Sequence, residues 1–144
     1  MIRIYRETKI KNNFIARIRY YTKKILKYLN IEKEVIIVFT DDSYITELNK
    51  TYFNKNRPTN VISFPLEEDN CLGEIYISMD TAKREADEWR VSLIFEVIYL
   101  IIHGILHLIG YDDLNEKKEK LMEDKEIEIV KNLNLEKLKN ENKS

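Results

Sequence analysis

Cysteine, glycine, proline and histidine are all scarce in this chain of 144 residues. The single Cys71 excludes an internal disulfide and any cysteine-rich zinc site, and it fits a reducing cytosol. Three glycines and two prolines leave no composition for linkers or long disordered stretches. The first residues, Met1-Ile2-Arg3-Ile4-Tyr5, lack the apolar core of a signal peptide. Charge is nearly balanced at −1 overall. The balance conceals two unlike halves. Residues 1–60 hold 13 Lys+Arg against 6 Asp+Glu, and residues 61–144 hold 11 against 19. A basic first half suits a polyanion as partner, although a solvated lysine-rich surface gives the same count. At this length a single domain, residues 1–144, is expected.

One long apolar run is present. Residues 91–109 contain thirteen Leu, Ile, Val or Phe in nineteen. Insertion of those side chains into a bilayer is favourable by roughly 4–8 kcal/mol. Glu96, His103 and His107 offset a comparable amount, so the run reads as a buried central helix and no membrane is expected.

The remaining elements follow from periodicity and punctuation. Ile2–Arg6 alternates like a strand. A helix runs from a cap at Asn12 or Asn13 to about Leu29, and Val35–Phe39 is a buried β-branched strand. Asp41 or Asp42 caps a second helix. A loop over 54–60 leads to a strand at Val61–Phe64 that stops at Pro65. Gly73–Met79 alternates again, and Asp80 caps a helix to about Trp89. Ser92 opens the central helix, which Gly110 ends, and Asn115 starts the last helix. Residues 136–144 are polar and read as a frayed tail. The order β-α-β-α-β-β-α-α-α predicts an α+β fold, with about four strands in a mixed sheet packed against the central helix and further helices.

The only two histidines, His103 and His107, lie four apart within that central run. On a helix they share one face and can grip one metal ion. Gly110 then turns the chain so that Asp113 can return as a third ligand, leaving a coordination position open, as catalytic sites do. The spacing H-x-x-x-H-x-x-G-x-x-D is close to that of metzincin peptidases, but their general-base glutamate is replaced here by Gly104. That argues against a metallohydrolase of peptides or small esters. Glu96, seven residues before His103, is a candidate to orient an imidazole or move a proton, or it bonds elsewhere in the core. Asp112 reads as a turn residue.

The segment from His103 to Asp112 resembles the H-G-x-L-H-L-x-G-Y-D-H signature of the YbeY family of bacterial ribosomal-RNA endoribonucleases. Two further blocks are similar: Leu48-Asn49, Tyr52, Lys55 and Pro58–Pro65, then Leu72–Ile75. The resemblance spans about residues 45–130. It implies one zinc ion held by His103, His107 and Asp113, a cytoplasmic location, and cleavage of single-stranded RNA in 16S rRNA 3′-end maturation and ribosome quality control. Ribosomal RNA and the small ribosomal subunit are the implied partners. Arg57, Thr59, Asn60 and Ser63 are the candidates for a substrate-binding wall, with Arg57 also a catalytic candidate. Two positions depart from the family: Asp113 stands at a usual histidine, and Phe53 at a frequent arginine. The loss of that arginine leaves a second reading open, a ribosome-assembly factor with a largely structural metal.

Overall fold

In the computed structural model, residues 1–141 are described. The order is β1 (Ile2–Arg6), α1 (Asn12–Tyr28), β2 (Glu34–Thr40), α2 (Asp42–Phe53), β3 (Val61–Pro65), β4 (Cys71–Ser78), α3 (Met79–Trp89), α4 (Leu93–Leu108) and α5 (Glu116–Asn132), with a short 3-10 turn at Leu135–Leu138. The strands form one mixed sheet in the order β1-β2-β4-β3. β1 and β4 run parallel to β2, and β3 returns antiparallel along β4. This is a single α+β domain.

Period-two alternation in β4 sends Ile75 and Ile77 into the core, both fully buried, while Glu74 and Tyr76 point to the other face. α4 packs on β3 and β4 and is itself flanked by α1, α3 and α5. That surrounding explains its nearly continuous hydrophobicity: Ile98, Ile101, Ile102, Ile105 and Leu106 are at most 1% exposed. Burial of each such side chain is worth about 1.5–3 kcal/mol. No single helix among the described residues is long and apolar enough to cross a membrane. α3 and α4 reach that length only together, across a 114° bend.

Close approach of α4 to the sheet requires Gly104. A Cβ there would lie 2.8 Å from Ile75 Cγ2 and 3.1 Å from Ser63 Oγ. The same point excludes a peptidase-type glutamate at this position, because its side chain would run into β4.

Two caps differ from expectation, those of α1 and α3. Lys11, not an asparagine, precedes α1; Asn12 Oδ1 instead accepts from the Arg6 guanidinium at 2.7 Å. Asp41 caps α2 by accepting from the Tyr44 N–H. Ser78, not Asp80, caps α3, and Asp80 instead accepts from the Asp42 N–H. Ser92 and Asn115 cap α4 and α5 as expected.

The tail corrects the expectation of fraying over residues 136–141. Leu135 and Leu138 are 0% and 2% exposed, and Ser92 Oγ donates to the Leu138 carbonyl at 2.6 Å. The Ser92 N–H donates to the Lys139 carbonyl, and Arg17 forms a bidentate pair with Glu141. Two leucines three apart were enough to dock a short turn on the start of α4. Residues 142–144 of the expected tail lie outside the described residues.

Candidate metal centre

The two histidines occupy the last turns of α4, where the i, i+4 spacing puts both rings on one face. Their Nε2 atoms stand 3.1 Å apart. Each ring is fixed through its other nitrogen. His107 Nδ1 lies 3.0 Å from the Tyr111 carbonyl oxygen, which can only accept, so Nδ1 carries the proton. His103 Nδ1 lies 2.5 Å from Glu126 Oε2. Both Nε2 lone pairs therefore converge on one point. Two nitrogens bound to a tetrahedral zinc at 2.0–2.1 Å stand about 3.3 Å apart, so the pair is already spaced for one ion. Burial, and then the nearby His103, hold the His107 pKa below its ordinary value, which favours the neutral form that can coordinate.

The turn after α4 supplies the third group. Gly110 has φ +107°, a backbone setting that a residue with a Cβ rarely adopts. It redirects the chain so that the Tyr111 carbonyl reaches back to His107 and Asp113 swings under the pair. His103, His107 and Asp113 each offer a ligand atom within 4.8 Å of the others. This set can hold a metal ion. Asp112 acts in the turn, accepting from the Leu114 N–H at 3.2 Å and facing Lys118.

Glu126 is the site residue that sequence reasoning missed. It is 3% exposed, reaches His103 from α5, and accepts from the Tyr99 hydroxyl at 2.9 Å through its second oxygen. The orienting role considered for Glu96 therefore falls to Glu126. Glu96, 7% exposed, meets Glu85 of α3 instead; burial first, then this second acid, push its carboxyl up to about 8. The signal for Glu126 was present: Met122, Glu126, Ile129 and Val130 share one face of α5, so a charge interrupts a buried stripe.

His103 and Asp113 line an open cleft of about 730 Å³ between α3, α4 and α5. Of the four residues expected to form a substrate wall, only Asn60 lines it, donating to both oxygens of Glu85. Ser63 Oγ donates to the Gly104 carbonyl at 3.0 Å and braces α4 against β3. Arg57 is exposed in the loop before β3, where its carbonyl accepts from Asn49 Nδ2, and Thr59 is half-buried in the same loop. Phe53 is half exposed, stacked on Phe64 at 6.4 Å between ring centres.

Fold and site together define a compact α+β protein with an open two-histidine, one-carboxylate group, able to hold a metal ion, at the end of its central helix. Residues 2–134 match the profile of the family described as Endoribonuclease YbeY. An Endoribonuclease YbeY of Pelotomaculum thermopropionicum is 43% identical over 113 residues, covering 72% of this chain and 74% of that protein. One from Persephonella marina is 42% identical, covering 77% and 78%. The solution structure of TM1509 from Thermotoga maritima superposes with a TM-score of 0.68 at 33% identity, over 90% of this chain and 87% of that one. The chain belongs to the YbeY endoribonuclease family.

Proposed function

We propose that this protein is a zinc-dependent endoribonuclease that cuts single-stranded RNA, acting in the cytoplasm on the 3′ end of 16S rRNA within the small ribosomal subunit and in ribosome quality control. The observation that carries the metal-dependent chemistry is the convergence of the two Nε2 lone pairs and Asp113 on the wall of an open cleft. His103, His107 and Asp113 hold one ion. When bound, such an ion supplies Lewis acidity toward a phosphoryl oxygen. Glu126 keeps the His103 ring turned toward the ion, and the Tyr111 carbonyl does the same for His107. Arg57, Thr59 and Asn60 of the loop before β3, with Ser63 on β3 itself, are assigned to the RNA path, so affinity should fall as salt rises.

The cleft carries five glutamates and Asp113 against Lys139 as its one basic side chain, which gives it little to hold a phosphate. That observation favours a second reading, a ribosome-assembly factor whose metal is largely structural. Metal content by mass spectrometry, measured beside cleavage of single- and double-stranded RNA for the wild type and Asp113→Ala, separates the two. Near-stoichiometric zinc that falls in the variant together with cleavage supports the nuclease. Metal without cleavage, with RNA affinity retained, supports the assembly factor. Metal-free protein that cannot be refilled would refute both.

A further inference from the structure

Much of the positive charge in the first half of the chain lies away from the cleft, none of whose lining residues comes from α1. Between Glu7 and Glu32 there is no acid, and the same stretch holds seven lysines and arginines. Four of them, Arg19, Lys23, Lys24 and Lys27, are exposed on α1. Each helical residue is turned by about 100° from the last, so these four fall within roughly 140° of one another. Ile18, Thr22 and Ile25, all 0% exposed, take the other side of the helix into the core. None of the four cations forms an ion pair among the described residues. Acids that reach α1 from other elements are engaged at its sides, Glu141 with Arg17 and Glu128 with the Tyr28 hydroxyl. A groove of about 550 Å³ runs beside the face, lined by Arg19, Lys23 and Lys27 with Glu32 as its one acid. Arg19 Nη1 donates to the Ile2 carbonyl at 2.7 Å, which holds its head at the rim.

Like charges four apart on a helix repel, so the face is a cost to the fold that a bound polyanion removes. An anionic lipid surface is a poor match. A helix that lies in a bilayer interface buries its apolar side there, and that side of α1 is already in the core; Tyr20 is the one large apolar side chain it leaves exposed. A nucleic-acid strand fits better. Arg19, Lys23 and Lys27 advance about 6 Å along the axis at each step of four residues, comparable to the step between successive phosphates. Tyr20 stands among them, with Lys24 Nζ 5.0 Å from its ring centre, and offers a ring edge to a ribose or base. The cleft cannot hold such a strand by itself, because its five glutamates and Asp113 repel a phosphate backbone.

We propose that the exposed face of α1, formed by Arg19, Lys23, Lys24 and Lys27 with the groove beside them, is a second contact surface for RNA. It grips the phosphate backbone of a strand without reading its sequence. The proposal rests on RNA being the ligand, and it holds for the nuclease and for the assembly factor alike.

The test follows a fluorescein-labelled single-stranded RNA by anisotropy across a salt series, with the metal-loaded full chain and with the RNA's length checked on a gel. One triple variant, Lys23→Gln, Lys24→Gln and Lys27→Gln, removes the face. A second, Lys83→Gln, Lys117→Gln and Lys137→Gln, changes the net charge equally at exposed lysines elsewhere. Circular dichroism checks that both fold. The first variant should lose affinity by roughly tenfold to a hundredfold at about 0.1 M salt, and its slope of log K against log salt should be shallower by about 2, since each phosphate contact on a single strand contributes about 0.7. The second should stay within about threefold of the wild type. Unchanged affinity and slope in the first variant would overturn the proposal and leave RNA binding elsewhere on the protein standing. Equal losses in both variants would reduce the effect to net charge and overturn it as well. So would polyglutamate or phosphatidylglycerol vesicles binding this face more tightly than RNA. A wild type that binds no RNA would overturn it together with the proposed function.

Discussion

Replacing Glu126 tests whether α5 sets the geometry of the metal centre. Glu126 holds two groups from α4: His103 Nδ1 at 2.5 Å and the Tyr99 hydroxyl at 2.9 Å. Glu126→Ala leaves both donors without their acceptor in a nearly closed space, at a cost of about 1–3 kcal/mol for each unmet group. Some relief from water entering through the cleft brings the expected loss to about 2–4 kcal/mol of unfolding free energy. The second effect is on the metal. Without Glu126 the His103 ring can rotate, and its other nitrogen can carry the proton. Loss of such an orienting carboxylate typically reduces metal affinity by 10–100-fold, or about 1.4–2.8 kcal/mol. Glu126→Gln separates the two effects. It keeps the shape and both hydrogen bonds, because its amide oxygen can accept from His103 while its NH₂ donates to a rotated Tyr99 hydroxyl. It should therefore retain most of the stability and lose affinity near the tenfold end. Competition with a chromophoric chelator measures affinity, and urea unfolding of metal-free protein measures stability. If both variants fold and bind zinc as tightly as the wild type, Glu126 does not orient His103 and the account of the site is wrong.

Three further expectations follow from packing and charge. Gly104→Ala should change stability by about 0 to −2 kcal/mol, an overpacking cost of about 1–3 against Ile75 partly offset by about 1 of helix propensity; a variant more stable than the wild type in urea would show that α4 and β4 separate easily. Glu96 has a folded pKa of about 8, above the ordinary 4.5, so its contribution is fully present below about pH 4.5 and is lost as pH rises through about 8. Glu96→Gln should thus gain on the wild type between pH 5 and 8, by about 2 kcal/mol when the proton is shared with Glu85; parallel pH–stability curves would contradict this. Leu138→Ala should cost about 2–4 kcal/mol and lower Tm by about 5–12 °C, whereas an unchanged Tm in scanning calorimetry would mean that the tail does not dock.

What the sequence made legible was whatever is local along it. The alternation of β4, the capping serine of α4, the i, i+4 histidines and the helix-ending glycine each involve neighbours within a turn or two, and the structure places them as the spacing implies. What was missed depends on contacts far apart in the chain. Glu126 lies 23 residues from His103, and Glu85 lies 11 from Glu96 across a helix junction, so no spacing rule joins them. The two errors at caps have the same origin. Asn12 and Asp80 are good capping residues, but each was claimed by a partner on another element, Arg6 in one case and the Asp42 N–H in the other. A local preference is worth about 1 kcal/mol at a cap, and a tertiary hydrogen bond of similar size is enough to redirect it. Both buried glutamates nevertheless left a mark that composition alone can show. Glu96 interrupts the apolar face of α4, and Glu126 that of α5. Burial of a carboxyl is costly unless something meets it. For Glu126 the structure supplies what meets it, a metal-facing imidazole and a tyrosine hydroxyl. For Glu96 it supplies only another acid. The same physical rule is met at Glu96 by a proton held against Glu85, which keeps its carboxyl neutral well above the ordinary carboxylate range.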